Sequence, residues 1–289
     1  MNLETYLKNA VANLSVAGIP TARLDALILL EDVTGKDRSW LLAHPEFELD
    51  YTVIKTLEKQ IERRAKHEPL SYIRGKSEFY GRDFFVTPDT LQPRSETETM
   101  IDLLKNLQQH KNYVAETRSR PQEKDGVVIV DVGTGSGCLA ITAKLEFTAA
   151  TVYGTDISDS ALTVAQKNAK NLNADVTFLK GNLLEPYYIL PPEPSTLVLL
   201  CNLPYVPNNY EINQAAGYEP SIALFGGQDG LDLYRELFDQ ISKLQDPSSK
   251  IAFILTESLP FQHAELAKIA AQQGYKLETS EDFIQVFKR

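Results

Sequence analysis

The chain has 289 residues and a mass of 32.3 kDa, with 43% hydrophobic and 24% charged residues. That balance suits one large soluble domain or two modest ones and excludes a disordered chain, a collagen-like repeat and a coiled-coil rod. Lys and Arg number 29 against 39 Asp and Glu, a net charge of −10, so a generic nucleic-acid binder is disfavoured.

The two cysteines form neither a disulfide framework nor a CxxC or CxxH zinc spacing, which points to a reducing compartment. No run of about 18 apolar residues is present, and MNLETYLKNA has no apolar signal region, so neither a membrane span nor a signal peptide is expected. Residues 1–75 hold 10 Lys and Arg against 11 Asp and Glu. The remainder carries a net charge of −9.

Residues 1–75 read as a small bundle of four amphipathic helices. Leu3, Leu7, Val11 and Leu14 mark the first. Pro20-Thr21 opens a second with Leu24, Leu27, Ile28 and Leu30, which Gly35 ends. Trp40-Leu41-Leu42 marks a short third, and Val53, Ile54, Leu57 and Ile61 share a face of a fourth from Tyr51 to Lys66. Pro69 and Gly75 then break the pattern. In 76–92, Phe79, Tyr80, Phe84, Phe85 and Val86 surround the turn signal Gly81-Arg82-Asp83, which predicts a β-hairpin linking two domains. Ser95 to Leu107 reads as a helix, and the polar stretch 108–126 as a mobile loop.

From residue 127 short apolar strands alternate with helices. Strands are expected at 127–130, 151–155, 176–179, 196–201 and 251–256, and helices at 137–147, 158–172, 228–245 and 260–273. Residues 275–277 and 283–287 are candidates for closing strands, and the proline-rich 186–195 for a surface loop. The pattern predicts an α/β, doubly wound, mostly parallel sheet buried on both faces.

Four constellations carry chemistry. Asp131-Val-Gly133-Thr134-Gly135-Ser-Gly137 follows an apolar strand and opens a helix. Its G-x-G-x-G spacing differs from the dinucleotide fingerprint, which needs glycine where Cys138 stands, and no P-loop lysine follows. The loop looks like that of class I methyltransferases, which binds S-adenosylmethionine (SAM). Asp156 ends the second strand, where a carboxylate accepts ribose hydroxyls, with Ile157 beside it. A helix cap is the alternative role for Asp156. Asn182, followed by Leu183, ends the third strand, where an amide hydrogen-bonds adenine or merely makes a turn. Asn202-Leu203-Pro204-Tyr205 follows the fourth strand and resembles the (N/D)-P-P-(Y/F) motif of amino-methyltransferases. Its Asn oxygen and the next carbonyl can hold the two hydrogens of a planar nitrogen in line with a methyl donor.

Other residues are less telling. His44, His67, His110 and His263 have no ligand spacing, so no metal is expected. Cys138 and Cys201 read as packing residues, and Glu257 is open between a site carboxylate and a helix-start residue.

The chain as a whole resembles the HemK/PrmC family of release-factor glutamine methyltransferases over nearly its full length. The resemblance rests on Leu24-Asp25-Ala26-Leu27, on Glu68-Pro69 with Tyr72 and Gly75, and on Leu91-Gln92-Pro93-Arg94-Ser95-Glu96-Thr97-Glu98. It continues in Glu219-Pro220 with Ala223-Leu224, in Gly226-Gly227-Gln228-Asp229-Gly230-Leu231 and in Tyr234-Arg235.

The resemblance implies methyl transfer from SAM, giving S-adenosylhomocysteine, to the side-chain amide of the glutamine in the Gly-Gly-Gln motif of a peptide chain release factor. It implies that Asn202 and Leu203 hold the amide, that Pro204 stiffens the loop and that Tyr205 packs on the amide. Asp131, Gly133, Thr134, Gly135, Gly137, Asp156, Ile157, Asn182, Leu183 and Asn202 would hold the cofactor. Pro93, Arg94, Glu96 and Glu98 would wall the substrate pocket, and residues 1–75 would dock the release factor. A cytoplasmic monomer without membrane or direct nucleic-acid contact is expected. Leu203 replaces a family proline, Asn182 an Asp, and Glu281–Arg289 lacks a G-x-x-R. The alternatives are an adenine methyltransferase on RNA or DNA, which shares the Asn-x-Pro-aromatic logic, a non-catalytic SAM-binding scaffold and, more distantly, a NAD oxidoreductase.

Overall fold

The structure, a computed structural model, describes residues 1–109, 126–189, 195–243 and 249–289. The loop expected at 108–126 therefore lies outside the described residues except at its ends, as does most of the proline-rich stretch; Glu185–Ile189 is a 3-10 turn. The chain divides into two compact units. One comprises 1–76 with 212–218, the other 77–211 with 219–289.

The first unit is built on α1 (Leu3–Val16), α2 (Ala22–Thr34), α3 (Arg38–Ala43), α4 (Tyr51–Ala65) and α5 (Leu70–Arg74). The Asn2 side chain caps α1 by accepting from the Thr5 N–H at 3.0 Å, and Asp37 caps α3 from Trp40 at 2.8 Å. Leu14, Leu29, Leu30 and Leu57 are fully buried in its core. Leu24, expected inside, is 43% exposed, while its neighbour Asp25 is buried. Asp25 is there because Arg64 of α4 reaches it at 2.7 Å, an ion pair that ties α2 to α4. α5 was not expected: one turn between Pro69 and Gly75 is too short for a periodicity to show, yet it buries Tyr72 and Ile73. The segment 212–218 belongs with this unit, and the Tyr218 hydroxyl donates to the Lys66 carbonyl at 2.8 Å.

The second unit begins with the predicted hairpin, β1 (Lys76–Phe79) and β2 (Arg82–Phe85), turning at Tyr80 and Gly81, both with positive φ. The reading of 76–92 as a linker needs correction. Phe79 and Phe84 are fully buried in the same core as Met100 and Ile129, so the hairpin is part of the second unit's interior. Asn168 locks it there: the Phe85 N–H donates to its Oδ1 at 2.8 Å, and its Nδ2 donates to the Phe85 carbonyl at 2.9 Å.

A 3-10 turn (Ser95–Thr97) leads into α6 (Glu98–Gln109). There follow β3 (Gly126–Val132), α7 (Cys138–Glu146), β4 (Thr151–Asp156), α8 (Asp159–Asn171), β5 (Thr177–Lys180) and β6 (Ser195–Cys201). The chain then forms the short α9 (Ser221–Leu224), α10 (Asp232–Lys243), β7 (Ser249–Glu257), α11 (His263–Gln272), β8 (Lys276–Glu281) and β9 (Ile284–Lys288). α10 starts four residues later than expected, because 226–231 form a loop. The seven-stranded sheet runs β5-β4-β3-β6-β7-β9-β8, parallel except for β9 against its two neighbours. Continuous apolar runs such as Leu197–Cys201 are buried on both faces, as a parallel sheet requires. β4 and β5 lie to one side of β3 and β6 to the other, so the switch point where such sheets bind ligands falls between the carboxyl ends of β3 and β6. Among the described residues no helix is long and apolar enough to cross a membrane.

Candidate active site

A cleft opens at that switch point, in the second unit. Its first wall is the loop after β3. Gly133, Gly135 and Gly137 have φ of 75°, 54° and 80°, the left-handed region that side chains resist. The Gly133 and Thr134 N–H groups donate to the Thr155 carbonyl at 2.9 and 2.8 Å, which binds the loop to the end of β4. Asp131 is buried beneath it. Its Oδ2 accepts from the Thr134 hydroxyl at 2.6 Å and from the Ala140 N–H at 3.0 Å, so its carboxylate shapes the loop. Burial raises its pKa to about 7 against those two bonds. Asp156 accepts from the Gly135 N–H and the Ser158 N–H, both at 2.9 Å, and burial raises it too. Asn182 lies further along and donates to Glu236 at 2.5 Å.

The opposite wall is the loop after β6. Leu203 is buried against the glycine loop, and a Cβ on Gly133 would stand 3.1 Å from its Cδ2. Asn202 Nδ2 donates to the Thr97 hydroxyl at 3.1 Å, and nothing in the described chain donates to its Oδ1. The Tyr234 hydroxyl sits between the Cys201 carbonyl at 2.9 Å and the Glu257 carbonyl at 2.5 Å, joining the ends of β6 and β7. The Tyr205 hydroxyl donates to Glu257 Oε1 at 3.0 Å. Gln262 Nε2 donates to the Tyr205 and Asp229 carbonyls at 2.8 and 2.7 Å. Loop 226–231 packs behind: a Cβ on Gly226 or Gly230 would overlap the Pro204 or Tyr205 carbonyl oxygen. Arg235 grips Asp229, whose pKa falls to about 2.

The cleft brings together most of the residues expected there: Asp131, Gly133, Thr134, Gly135, Asp156, Ile157, Asn182, Leu183, Asn202, Leu203 and Pro204, with Pro93 and Arg94. Four fall outside its lining. Gly137 packs under the loop, where a Cβ would meet Ile141 and Ala165 at 3.0 and 3.1 Å. Glu98 accepts from the Tyr80 N–H at 2.8 Å and so holds the hairpin turn. Glu96 bonds its neighbour Ser95 at 3.2 Å. Tyr205 faces Glu257 rather than the cleft, because its hydroxyl needs a buried partner. Arg94 donates to buried Glu219 at 2.6 Å, which gives the Glu219-Pro220 motif its place. Thr97, Thr90, Gln92, Ile222 and Leu233 line the cleft without having been singled out. Of these, Gln92 and Thr97 had a signal, since both stand inside the Leu91–Glu98 run.

The PrmC N-terminal domain family matches residues 5–75, and the ribosomal protein L11 methyltransferase (PrmA) family matches 98–190. The chain is 37% identical to a release factor glutamine methyltransferase of Koribacter versatilis, over 83% of this chain and 81% of that one. It is also 37% identical to one of Moorella thermoacetica, over 87% and 84%. The chain belongs to the release factor glutamine methyltransferase family. It is also 32% identical to a bifunctional methyltransferase of Rickettsia bellii over its whole length, and spans about half, 54%, of that longer protein. The hMettl16 catalytic domain, solved with an RNA hairpin, shares the fold: TM-score 0.54, 12% identity, over 91% of this chain and 89% of that one. The architecture is the class I methyltransferase fold.

Proposed function

We propose that the protein transfers a methyl group from SAM to the side-chain amide nitrogen of the glutamine in the Gly-Gly-Gln motif of a peptide chain release factor. The observation that carries this reading is a pair of acceptors, Asn202 Oδ1 and the Leu203 carbonyl, beside the glycine loop at the switch point, to which nothing donates among the described residues.

The cleft residues fit the cofactor. A Cβ on Gly135 would enter open space, so the loop presents bare backbone there. Asp156 ends β4 with both oxygens fixed by backbone N–H groups and spare lone pairs for the ribose hydroxyls. Asn182, its nitrogen committed to Glu236, offers its oxygen to the adenine amine. When bound, SAM supplies an electrophilic methyl on sulfur.

An amide nitrogen is a poor nucleophile because its lone pair is conjugated. Asn202 and Leu203 accept its two hydrogens, hold it in line and stabilise the positive charge that develops as the C–N bond forms. Leu203 serves as well as the usual proline because only its carbonyl is used. No side chain is assigned as a base, and the surplus proton leaves to solvent. Residues 1–75 dock the release factor, and the protein acts as a cytoplasmic monomer.

Labelled SAM tests the reading. Label is expected on the release factor, absent when the Gly-Gly-Gln glutamine is changed to alanine, and absent from ribosomal RNA. Label on RNA alone would overturn it in favour of an adenine substrate.

A further inference from the structure

The Asn202 carboxamide has two ends alike in shape and opposite in polarity, and only one orientation turns an acceptor towards a substrate amide. That orientation is what the reading above requires, and the present inference rests on it. Asn202 Nδ2 donates to Thr97 Oγ1 at 3.1 Å. A hydroxyl alone does not choose between the two ends, because it accepts from the nitrogen as readily as it donates to the oxygen. The choice depends on where the Thr97 proton goes.

Thr97 is 2% exposed, so water does not take that proton. The hydroxyl faces Glu257, itself 1% exposed at the end of β7; burial pushes that carboxyl up from its ordinary value, and the Thr97 and Tyr205 hydroxyls pull against it towards the charged form. Tyr205 already donates to Oε1, whereas Oε2 is buried and holds no formed bond among the described residues. An ionised carboxylate only accepts, and a buried one without a donor is costly. Tyr234, bridging the Cys201 and Glu257 carbonyls, keeps Glu257 in register with the Asn202 loop.

We infer that Glu257 and Thr97 are positioning residues that set the polarity of the Asn202 carboxamide. Glu257 draws the Thr97 proton, the Thr97 oxygen is left to accept the Asn202 N–H, and Asn202 Oδ1 is the end left for the substrate. Neither residue touches the reacting atoms.

The test pairs Thr97→Val and Glu257→Gln with Thr97→Ser, and reads kcat, KM, SAM affinity and the Asn202 side-chain amide resonances, assigned by their loss in Asn202→Asp. In Glu257→Gln the new amide can donate to Thr97, which frees the Thr97 proton to turn towards Asn202 Oδ1. Thr97→Val and Glu257→Gln are expected to lower kcat about 10- to 100-fold with SAM affinity retained. Thr97→Ser is expected to restore most of the rate. In the wild type one Asn202 Nδ2 proton exchanges with water more slowly than the other, and Thr97→Val and Glu257→Gln abolish the difference. Unchanged kcat in Thr97→Val or Glu257→Gln, or two equally fast Nδ2 protons in the wild type, would overturn the inference. Should the wild type leave release factors unmethylated, the proposed function fails, while the amide resonances still decide the orientation.

Discussion

The loops after β3 and β6 stand side by side at the head of the sheet and are held in place by opposite means. The β3 loop is held mostly from nearby in sequence: Asp131 bonds Thr134 and Ala140, and Asp156 bonds Gly135 and Ser158, all within 21 residues, while Asn168, 32 residues away, donates to the Ser136 carbonyl. The β6 loop is held from afar. Asn202 is oriented by Thr97, 105 residues away, and Tyr205 is held by Glu257 and Gln262, 52 and 57 residues away. Loop 226–231 presses against its carbonyls. A loop that cradles a ligand with backbone can be specified locally. A loop that must aim one oxygen at one nitrogen draws on the whole unit.

This contrast breaks most visibly at glycine. Gly230→Ala places a methyl into the Tyr205 carbonyl at a φ of 81°, and is expected to cost about 3 kcal/mol. Thermal unfolding should fall by roughly 5–10 °C. Gly135→Ala meets open space and pays only for its φ of 54°, about 1 kcal/mol, with the loss showing in SAM binding instead. Equal losses of stability in the two variants would contradict the contrast.

Asp156→Asn sharpens it. One amide oxygen replaces two acceptors, so the Gly135 or Ser158 N–H loses its partner. SAM affinity is expected to weaken about 10-fold by calorimetry, with unfolding temperature little changed.

The smallest effect is in pH dependence. Asp131 is held at about 7 in the fold against an ordinary carboxylate value near 3.8. Between those values the folded chain keeps a proton that the unfolded chain releases, so Asp131 lowers stability as pH rises from about 4 to about 7. Asp131→Asn retains one oxygen for Thr134 and Ala140 and removes that slope. Denaturant unfolding should show the variant gaining on the wild type across this range, and the two converging below it.

The same contrast decides what was legible in the sequence. The parallel sheet and the hairpin follow from apolar runs and turn signals, and the glycine loop from local spacing. The linker reading of 76–92 failed because nothing local says that Phe79 and Phe84 enter the second unit's core. Glu98 and Tyr205 enter the expected site through the resemblance of their motifs, which does not show that the Tyr80 N–H takes up the Glu98 carboxylate or that the Tyr205 hydroxyl meets Glu257. Glu257 stayed ambiguous because its role depends on two hydroxyls brought in by β-sheet register and by the 3-10 turn at 95–97.

The most direct measurement is SAM affinity and single-turnover methyl transfer to the release-factor glutamine in one preparation of Asn202→Ala. The account predicts near wild-type SAM affinity with transfer slowed about 100- to 1,000-fold, because an acceptor used only at the reacting nitrogen has been removed. Near-normal transfer, or a loss of SAM affinity equal to the loss of rate, would contradict it.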